Sequence, residues 1–229
     1  MLKRLLRLIG AAAAHETEES AKSRSEGQER ALPPLTMFVI ADLHSCYYED
    51  MRKIITAEEE RTYDCIILCG DICAEDVKLI SEHAKAPCLY VLGNHDTWHQ
   101  NDGIQGIEDI DGKTVAINGA KISGVSGAPK YKDGEWGMRT EAEIAEKLEK
   151  ISDTDILVSH ESPYHFLSPN RAHAGFQAIS DFLTEKKPGL HIFGHHHIDY
   201  QGVFDGTKEI CVYGAAIIST APYTIEKIV

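Results

Sequence analysis

Short apolar runs alternate with amphipathic segments from residue 36 onward. The runs are apolar at nearly every position, which is typical of strands that are covered on both faces of a sheet. Between the first three runs, apolar residues recur at helical spacing over residues 47–61 and 75–84. This strand–helix–strand alternation indicates an α/β fold with a largely parallel sheet. The runs are TMFVIADLH, DCIILCGD, PCLYVLGNHD, DILVSH and LHIFGHHH.

The second half of the chain adds two predicted helices and several shorter strands. Thr140 and Glu143 have the spacing of a capping box and predict a helix that begins there. A second helix is predicted around residues 176–183. Residues 113–117 and 120–125 form a candidate hairpin, and the runs EICVYGAA and YTIEKIV are typical of antiparallel strands.

Residues 1–35 are predicted to be a poorly ordered N-terminal tail and polar linker, followed by a single domain over residues 36–229. Arg7 interrupts the apolar residues of MLKRLLRLIG, so the stretch is far too short to span a bilayer and short for a signal-peptide core. Its leucines could share one helical face. Weak contact of residues 1–9 with a membrane surface is therefore an alternative to a frayed tail.

The net charge and the cysteine content indicate which binding partners and which cellular compartment to expect. The formal net charge of -13 repels a phosphate backbone, so no stable nucleic-acid partner is expected. Several of the six cysteines lie inside apolar runs, which favours small buried side chains over disulfides. Cys65, Cys69 and Cys73 are spaced like a helical metal face, but the run that holds them predicts a strand. The cytoplasm is the expected location.

Polar side chains follow each of the five apolar runs. Ligands of α/β sheets bind outside the carboxyl ends of the strands, so we expect these side chains to meet at one rim. One histidine at a strand end is ordinarily structural, whereas five strand ends that all finish in Asp, Asn or His predict a site. The residues concerned are Asp42, His44, Asp71, Asn94, His95, His160, His195 and His197.

Imidazoles combined with carboxylates suit divalent metals, with Mn²⁺ as the first expectation and Fe, Zn and Ni as alternatives. The candidate ligands are more than one ion needs, but two ions that share a carboxylate would use them all. Two ions about 3.5–4 Å apart suit phosphate ester hydrolysis, because they hold the phosphoryl oxygens and acidify a bridging water. On a strand, Asp42 and His44 would face one side, as would His195 and His197, with His196 facing away. Tight turns beside the site account for Gly70, Gly93 and Gly194.

The blocks DLH, GDI, GNHD, SH and GHHH, in this order over residues 42–197, resemble the calcineurin-like metallophosphoesterases of the small prokaryotic type. The resemblance implies a four-layer αββα sandwich of two mixed β-sheets flanked by helices. It implies dinuclear hydrolysis of a phosphate ester by a metal-bridging hydroxide, with Asp71 bridging the ions, His95 as general acid and Asp96 in a structural role. It also implies one ion on Asp42, His44 and His197, and a second on Asn94, His160 and His195.

The predicted substrate is a small phosphorylated compound, either a phosphodiester or a small phosphomonoester. The region from SHESPY to GHHH is similar to cyclic-nucleotide phosphodiesterase-like members of the family. Protein phosphatases of the family carry an Asp and a phosphate-gripping Arg after G-D, where this chain has Ala74 and Glu75, which counts against that activity. A nuclease of the same fold and a non-catalytic binding module remain alternatives. Loop residues predicted to contact the substrate are Trp98, Arg171 and His173.

Overall fold

The computed structural model describes residues 30–44, 48–96, 104–130, 137–164, 166 and 173–229. These residues form four helices: α1 (Tyr48–Glu60), α2 (Ala74–His83), α3 (Glu141–Glu149) and α4 (Gln177–Lys186). The strands are β1 (Thr36–Ala41), β2 (Cys65–Leu68), β3 (Cys88–Tyr90), β4 (Ile107–Asp109), β5 (Thr114–Ile117), β6 (Ala120–Val125), β7 (Ala128–Pro129), β8 (Met138–Arg139), β9 (Ile156–Ser159), β10 (Leu190–Phe193), β11 (Tyr200–Phe204), β12 (Thr207–Cys211), β13 (Gly214–Thr220) and β14 (Tyr223–Lys227).

Two mixed six-stranded sheets contain most of these strands. The first has the order β14-β13-β1-β2-β3-β4, and the second has the order β11-β12-β10-β9-β6-β5. In the first sheet, β1 to β4 run parallel, β13 pairs antiparallel with β1, and β14 pairs antiparallel with β13. In the second sheet, four parallel strands are flanked by antiparallel β11 and β5. Strands β7 and β8 pair separately.

Apolar side chains fill the space between the sheets and the space under each pair of helices. Along β1, Met37 and Val39 pack between the two sheets, whereas Phe38 and Ile40 pack toward α1 and α2. Helices α3 and α4 cover the outer face of the second sheet through a third cluster that includes Phe182. The four-layer αββα sandwich is therefore confirmed, and both faces of the central strands are buried because each faces a neighbouring layer.

The apolar pattern by itself indicated one largely parallel sheet, and in this respect it was wrong. The five motif strands are divided between two sheets, with β1, β2 and β3 in the first and β9 and β10 in the second. A strand that is apolar on both faces can be covered by helices or by another sheet, and periodicity does not distinguish these. The capping box is confirmed: Thr140 Oγ1 accepts from the Glu143 N–H, and the Glu143 carboxylate accepts from the Thr140 N–H.

Residues 30–35, which the sequence pattern assigned to the tail, pack against the domain. Arg30 forms ion pairs with Asp153 (2.9 Å) and Asp155 (2.6 Å). Leu35 is buried, and its N–H donates to Thr220 Oγ1. The packed structure thus includes residues on the N-terminal side of the predicted boundary at residue 36. Within the described ranges, no helix is long and apolar enough to cross a membrane.

Glu58 on α1 is a buried carboxyl group with no hydrogen-bond partner for either side-chain oxygen among the described residues. Burial raises its pKa from 4.5 to about 8. Between pH 4.5 and about pH 8, Glu58 holds a proton in the folded chain that it releases in the unfolded chain. The contribution of Glu58 to stability therefore falls as pH rises through this window.

Glu58→Gln is expected to increase the free energy of unfolding, because it removes the cost of ionising a buried acid. The gain should be small at pH 5 and grow to about 1–3 kcal/mol at pH 8. Urea unfolding at the two pH values measures it, with Glu60→Gln, an exposed neighbour on the same helix, as the control. A gain of equal size at both pH values would show that Glu58 is not held protonated in the folded state.

Candidate metal centre

The site lies in the turns that follow the carboxyl ends of the motif strands. Strands β1 and β10 end at Ala41 and Phe193, so the expectation that Asp42 and His44, or His195 and His197, share a strand face is wrong. Instead these four residues and Asp71 all have positive φ, between 42° and 67°. Asp and His tolerate this left-handed conformation better than most residues, and such backbone strain often marks functional sites.

One cluster of potential ligands contains Asp42, His44 and His197, whose ligand atoms all lie within 4.8 Å of one another. The Nε2 atoms of the two histidines are 2.9 Å apart. Asp42 Oδ1 is 4.0 Å from His44 Nε2 and 3.9 Å from His197 Nε2. The other oxygen, Asp42 Oδ2, accepts the His195 N–H, which orients Oδ1 toward the two imidazoles. We call these three residues the first group.

The second group contains Asp71, His160 and His195, all of them buried. His160 Nε2 lies 3.1 Å from His195 Nδ1 and 3.5 Å from Asp71 Oδ2. Asn94 Oδ1 lies 3.2 Å from the same His160 nitrogen. The amide oxygen of Asn94 therefore adds a fourth potential ligand atom to this group.

Asp71 connects the two groups. Its Oδ2 atom is 3.7 Å from His44 Nε2 in the first group and 3.5 Å from His160 Nε2 in the second. Its Oδ1 atom accepts the His95 N–H, which fixes the carboxylate plane. The Asp96 carboxylate accepts the N–H groups of Asp71, Ile72 and Gly93, and so joins the β2 and β3 turns in the structural role that the motif implied.

Two of the three motif glycines are required for space rather than for a turn. A Cβ atom at Gly93 would overlap Asp71 Oδ1, and one at Gly194 would lie 2.7 Å from Asp42 Oδ2. Only Gly70, with φ of 92°, has a backbone conformation that specifically favours glycine, as the tight-turn argument supposed. The glycines thus let both carboxylates approach the neighbouring backbone closely.

The charges of the two groups are strongly coupled. Burial raises the pKa of Asp42, which stands at about 7 although the neighbouring His160 opposes the increase. Burial lowers the pKa of His160, but the Asp71 carboxylate outweighs this effect and raises the pKa to about 10. Burial lowers the pKa of His44 and of His197, which favours the neutral imidazoles that bind metals. The buried carboxylates need positive charge beside them, and a proton or a divalent cation can supply it.

The donor set fits divalent metal ions on two further observations. Asp42 Oδ1 is buried and has no hydrogen-bond partner among the described residues. His160 Nδ1 must donate to the Cys69 carbonyl oxygen, so in the neutral ring Nε2 carries a lone pair directed at Asn94 Oδ1 and His195 Nδ1. Lone pairs that converge in a buried space repel one another unless a cation lies between them.

The remaining predicted residues are placed as follows. His95 is exposed, and its ring centroid is 5.4 Å from that of His44. The ring of His173 lies 4.6 Å from that of His195, beside the second group. Trp98 and Arg171 lie outside the described residues. Tyr213, which the sequence reasoning missed, stacks on His197 at 5.3 Å with its side chain exposed.

Glu161 is a second residue that the sequence reasoning missed, although it directly follows His160. It is fully buried, with Oε2 3.4 Å from His195 Nε2 and Oε1 3.2 Å from His196 Nε2. His196 Nε2 also lies 2.8 Å from Ser162 Oγ, so His196 makes structural contacts with Glu161 and Ser162. A carboxylate on the far nitrogen of a ligand histidine fixes its ring and tautomer. The sequence did contain a signal for this role, because an acidic residue directly follows a histidine of the motif.

Glu161→Gln is expected to weaken Mn²⁺ binding about 10- to 100-fold, because His195 loses its charged partner while the ligand set stays complete. Isothermal titration of the metal-free protein measures the affinity, and thermal unfolding of the metal-free variant controls for folding. Glu149→Gln, an exposed acid on α3, provides the matched control. Unchanged affinity in Glu161→Gln would show that this carboxylate does not orient His195.

Comparison with known proteins finds a family match over the part of the chain that contains both ligand groups. The family model for calcineurin-like phosphoesterases matches residues 35–199. Among curated proteins, a probable rhamnogalacturonate lyase C from Emericella nidulans is 28% identical over 144 residues. That match covers 54% of this chain and only 13% of the relative, so the chain spans about an eighth of the length of that protein.

Two solved structures illustrate the similarity of fold. The protein TT1561 of Thermus thermophilus superimposes with a TM-score of 0.65 at 12% identity, covering 85% of this chain and 98% of that one. A phosphopantetheinyl hydrolase from Mycobacterium tuberculosis has a TM-score of 0.51 at 16% identity, covering 80% and 90% of the two chains. At such low identity these similarities establish the fold alone.

Proposed function

Because the chain belongs to the calcineurin-like phosphoesterase family, we propose that it hydrolyses small phosphate esters, and phosphodiesters in particular. The observation that carries the proposal is the pair of ligand groups connected through Asp71. A non-catalytic binding module would not need a complete ligand set, whereas every residue of the family motif is present over residues 42–197.

In this proposal the first group and the second group each hold one divalent cation, with Asp71 shared and Asn94 completing the second. Two bound divalent cations supply positive charge beside a phosphoryl group and acidify water, which are the effects that promote phosphate ester hydrolysis. Mn²⁺ is proposed first, with Fe, Zn and Ni as alternatives. Asp96 and the two motif glycines keep the carboxylates in position for this role.

His95 is proposed to donate a proton to the oxygen of the leaving alcohol. Its ring is exposed to an incoming substrate and lies at the edge of the first group, beside His44. Its backbone N–H is bonded to Asp71 Oδ1, so the residue is positioned by the carboxylate that connects the two groups. Proton donation lets the alcohol leave as a neutral molecule instead of a poorly stabilised alkoxide. This ordinarily accelerates such steps substantially.

The organic part of the substrate is proposed to contact aromatic rings at the rim. Tyr213 stacks on His197 at one side of the site, and His173 packs on His195 at the other. Rings on both sides suit a diester, in which two organic groups flank one phosphorus atom. Arg171 and Trp98 remain proposed substrate contacts. A small phosphorylated substrate also agrees with the net charge of -13, which disfavours a long nucleic acid.

A substrate panel at saturating Mn²⁺ tests the proposed class. The panel contains bis-p-nitrophenyl phosphate, p-nitrophenyl phosphate, cyclic nucleotides and short oligonucleotides. We expect kcat/KM to be highest for a small diester, either bis-p-nitrophenyl phosphate or a cyclic nucleotide, and lower for the monoester and for the polyanionic oligonucleotides. A clear preference for the monoester would reassign the substrate class, and no turnover of any compound by fully metal-loaded protein would favour a binding module.

A further inference from the structure

An open groove lies between α3 and α4, on the outer face of the second sheet, and has a volume of about 660 Å³. Its lining includes three alanines, Ala142, Ala145 and Ala178, together with the edges of Leu148 and Phe182. Because alanine side chains are short, the two helices leave space between them that larger residues would fill. The groove therefore presents apolar surface to the outside of the domain.

The rim of this groove is acidic. Glu149, Asp181 and Glu185 border it and are exposed, and Lys186 is the basic residue of the lining, 2.9 Å from Glu185. Glu141 also borders the groove, but its carboxylate accepts the Gln177 and Ala178 N–H groups and so caps α4. The groove thus favours an occupant with an apolar face and flanking positive charges.

The N-terminal segment of the chain enters the domain beside one end of this groove. Arg30 is held by Asp153 and Asp155, a few residues beyond the end of α3. Leu32 contacts Gly189, just beyond the end of α4. Both helices therefore end close to the position at which residues 1–29 connect to the described structure.

Residues 1–9 have the chemistry that the groove requires. Four apolar residues, Leu2, Leu5, Leu6 and Ile9, would share one face of a helix, with Lys3, Arg4 and Arg7 on other faces. Residues 10–29 connect this segment to Arg30, and the covalent reach of a chain of that length is at most about 70 Å. Helix α4 is only about 15 Å long, so the segment can reach the whole groove.

We propose that residues 1–9 bind in the groove between α3 and α4 of the same chain. The leucines cover the alanine floor, and the basic residues pair with Glu149, Asp181 and Glu185. The covalent connection favours this occupant over a separate molecule, because it keeps the segment at a high effective concentration beside the groove. A second copy of the chain and an anionic membrane surface are the competing partners for the same leucines.

Zero-length carbodiimide cross-linking of the full chain, read by mass spectrometry, tests the proposal. We expect Lys3 to link to Glu149, Asp181 or Glu185 at least about tenfold more often than to Glu59 or Glu60, exposed acids on α1 at the opposite side of the sandwich. Leu5→Asp combined with Leu6→Asp should remove this preference, since it eliminates the apolar face. Equal linking to both sets of acids in the unmodified chain would overturn the proposal.

Two further arms identify a different occupant. Mixing equal amounts of ¹⁵N-labelled and unlabelled chains distinguishes links within a chain from links between chains, and mixed-isotope links that approach about half of the total, the share expected when two chains pair at random, would assign the groove to a second copy. Flotation with phosphatidylglycerol vesicles tests the membrane. Vesicle binding that depends on Leu5 and Leu6, without groove cross-links in vesicle-free solution, would assign residues 1–9 to a membrane surface. Either result would overturn docking within the chain.

Discussion

Replacement of Asp71 by asparagine is expected to lower the rate of phosphodiester hydrolysis by more than about 100-fold. Mutating a residue that merely orients a metal ligand ordinarily costs 10- to 100-fold, and Asp71 is proposed as a ligand of both ions. The substitution keeps the size and the hydrogen bond from the His95 N–H but removes a charge that lies within 3.7 Å of imidazoles in both groups. Hydrolysis of bis-p-nitrophenyl phosphate with added Mn²⁺ measures the change.

A control is needed because a buried substitution can also affect folding. Asp50→Asn removes a carboxylate that pairs with Lys53 on α1 and belongs to neither ligand group, and it should leave the rate unchanged. Circular dichroism of the Asp71→Asn protein should show intact secondary structure. Activity near that of the unmodified chain in folded Asp71→Asn protein would contradict the shared role of this carboxylate.

Replacement of His95 by alanine is expected to lower kcat about 10²- to 10⁴-fold while the protein retains its bound metal. The reason is that the His95 ring belongs to neither ligand group, whereas its backbone N–H, which alanine keeps, holds Asp71 Oδ1. The defect should be smaller for p-nitrophenol esters than for alkyl esters, because a good leaving group needs less help from an acid.

The leaving-group comparison separates proton donation from a structural role. A structural defect should slow all esters equally, whereas loss of the general acid should slow the poorer leaving group more. His83→Ala provides the control, since His83 lies at the end of α2 and belongs to no motif. Loss of both metals from His95→Ala would contradict the role proposed for this residue.

The sequence identified the candidate site residues because two features meet at the strand ends, namely an apolar strand and a cluster of polar residues after it. The buried strands appear as apolar runs, and the residues after them are unusual for strand ends, as in GNHD before Thr97 or GHHH before Ile198. Together they identified the residues that the structure brings close, from Asp42 to His197. The four-layer fold followed from the motif resemblance, not from periodicity, which is the same for a strand covered by helices and one covered by a sheet.

The local geometry of the site was not predictable from spacing. The spacing of two residues suggested that pairs of ligands share a strand face, but Asp42 and His195 lie in turns with left-handed backbone conformation. The residue at which each strand ends can be assigned only once the hydrogen-bonded pairing of the strands is known. Glu161 was overlooked because its role depends on contacts with His195 and His196, whose positions relative to it arise from tertiary structure. Tyr213 lies beyond the last motif, on a segment that reaches the site only through the sheet order.

The space around the carboxylates also depends on tertiary structure. A glycine at position 93 or 194 reads as a turn residue in the sequence, yet each leaves room for a carboxylate contributed by another strand end. The same holds for the groove between α3 and α4. Ala145 and Ala178 are ordinary helix residues until the two helices are placed side by side.

Metal stoichiometry measured together with activity tests the central claim most directly. Metal-free protein is titrated with Mn²⁺, and bound metal is determined by plasma mass spectrometry while hydrolysis of bis-p-nitrophenyl phosphate is followed in the same samples. We predict that activity appears with bound Mn²⁺, is complete at two ions per chain, and is abolished by EDTA. Full hydrolysis in excess EDTA by protein that carries no metal would contradict the assignment of the two groups as a dinuclear catalytic centre.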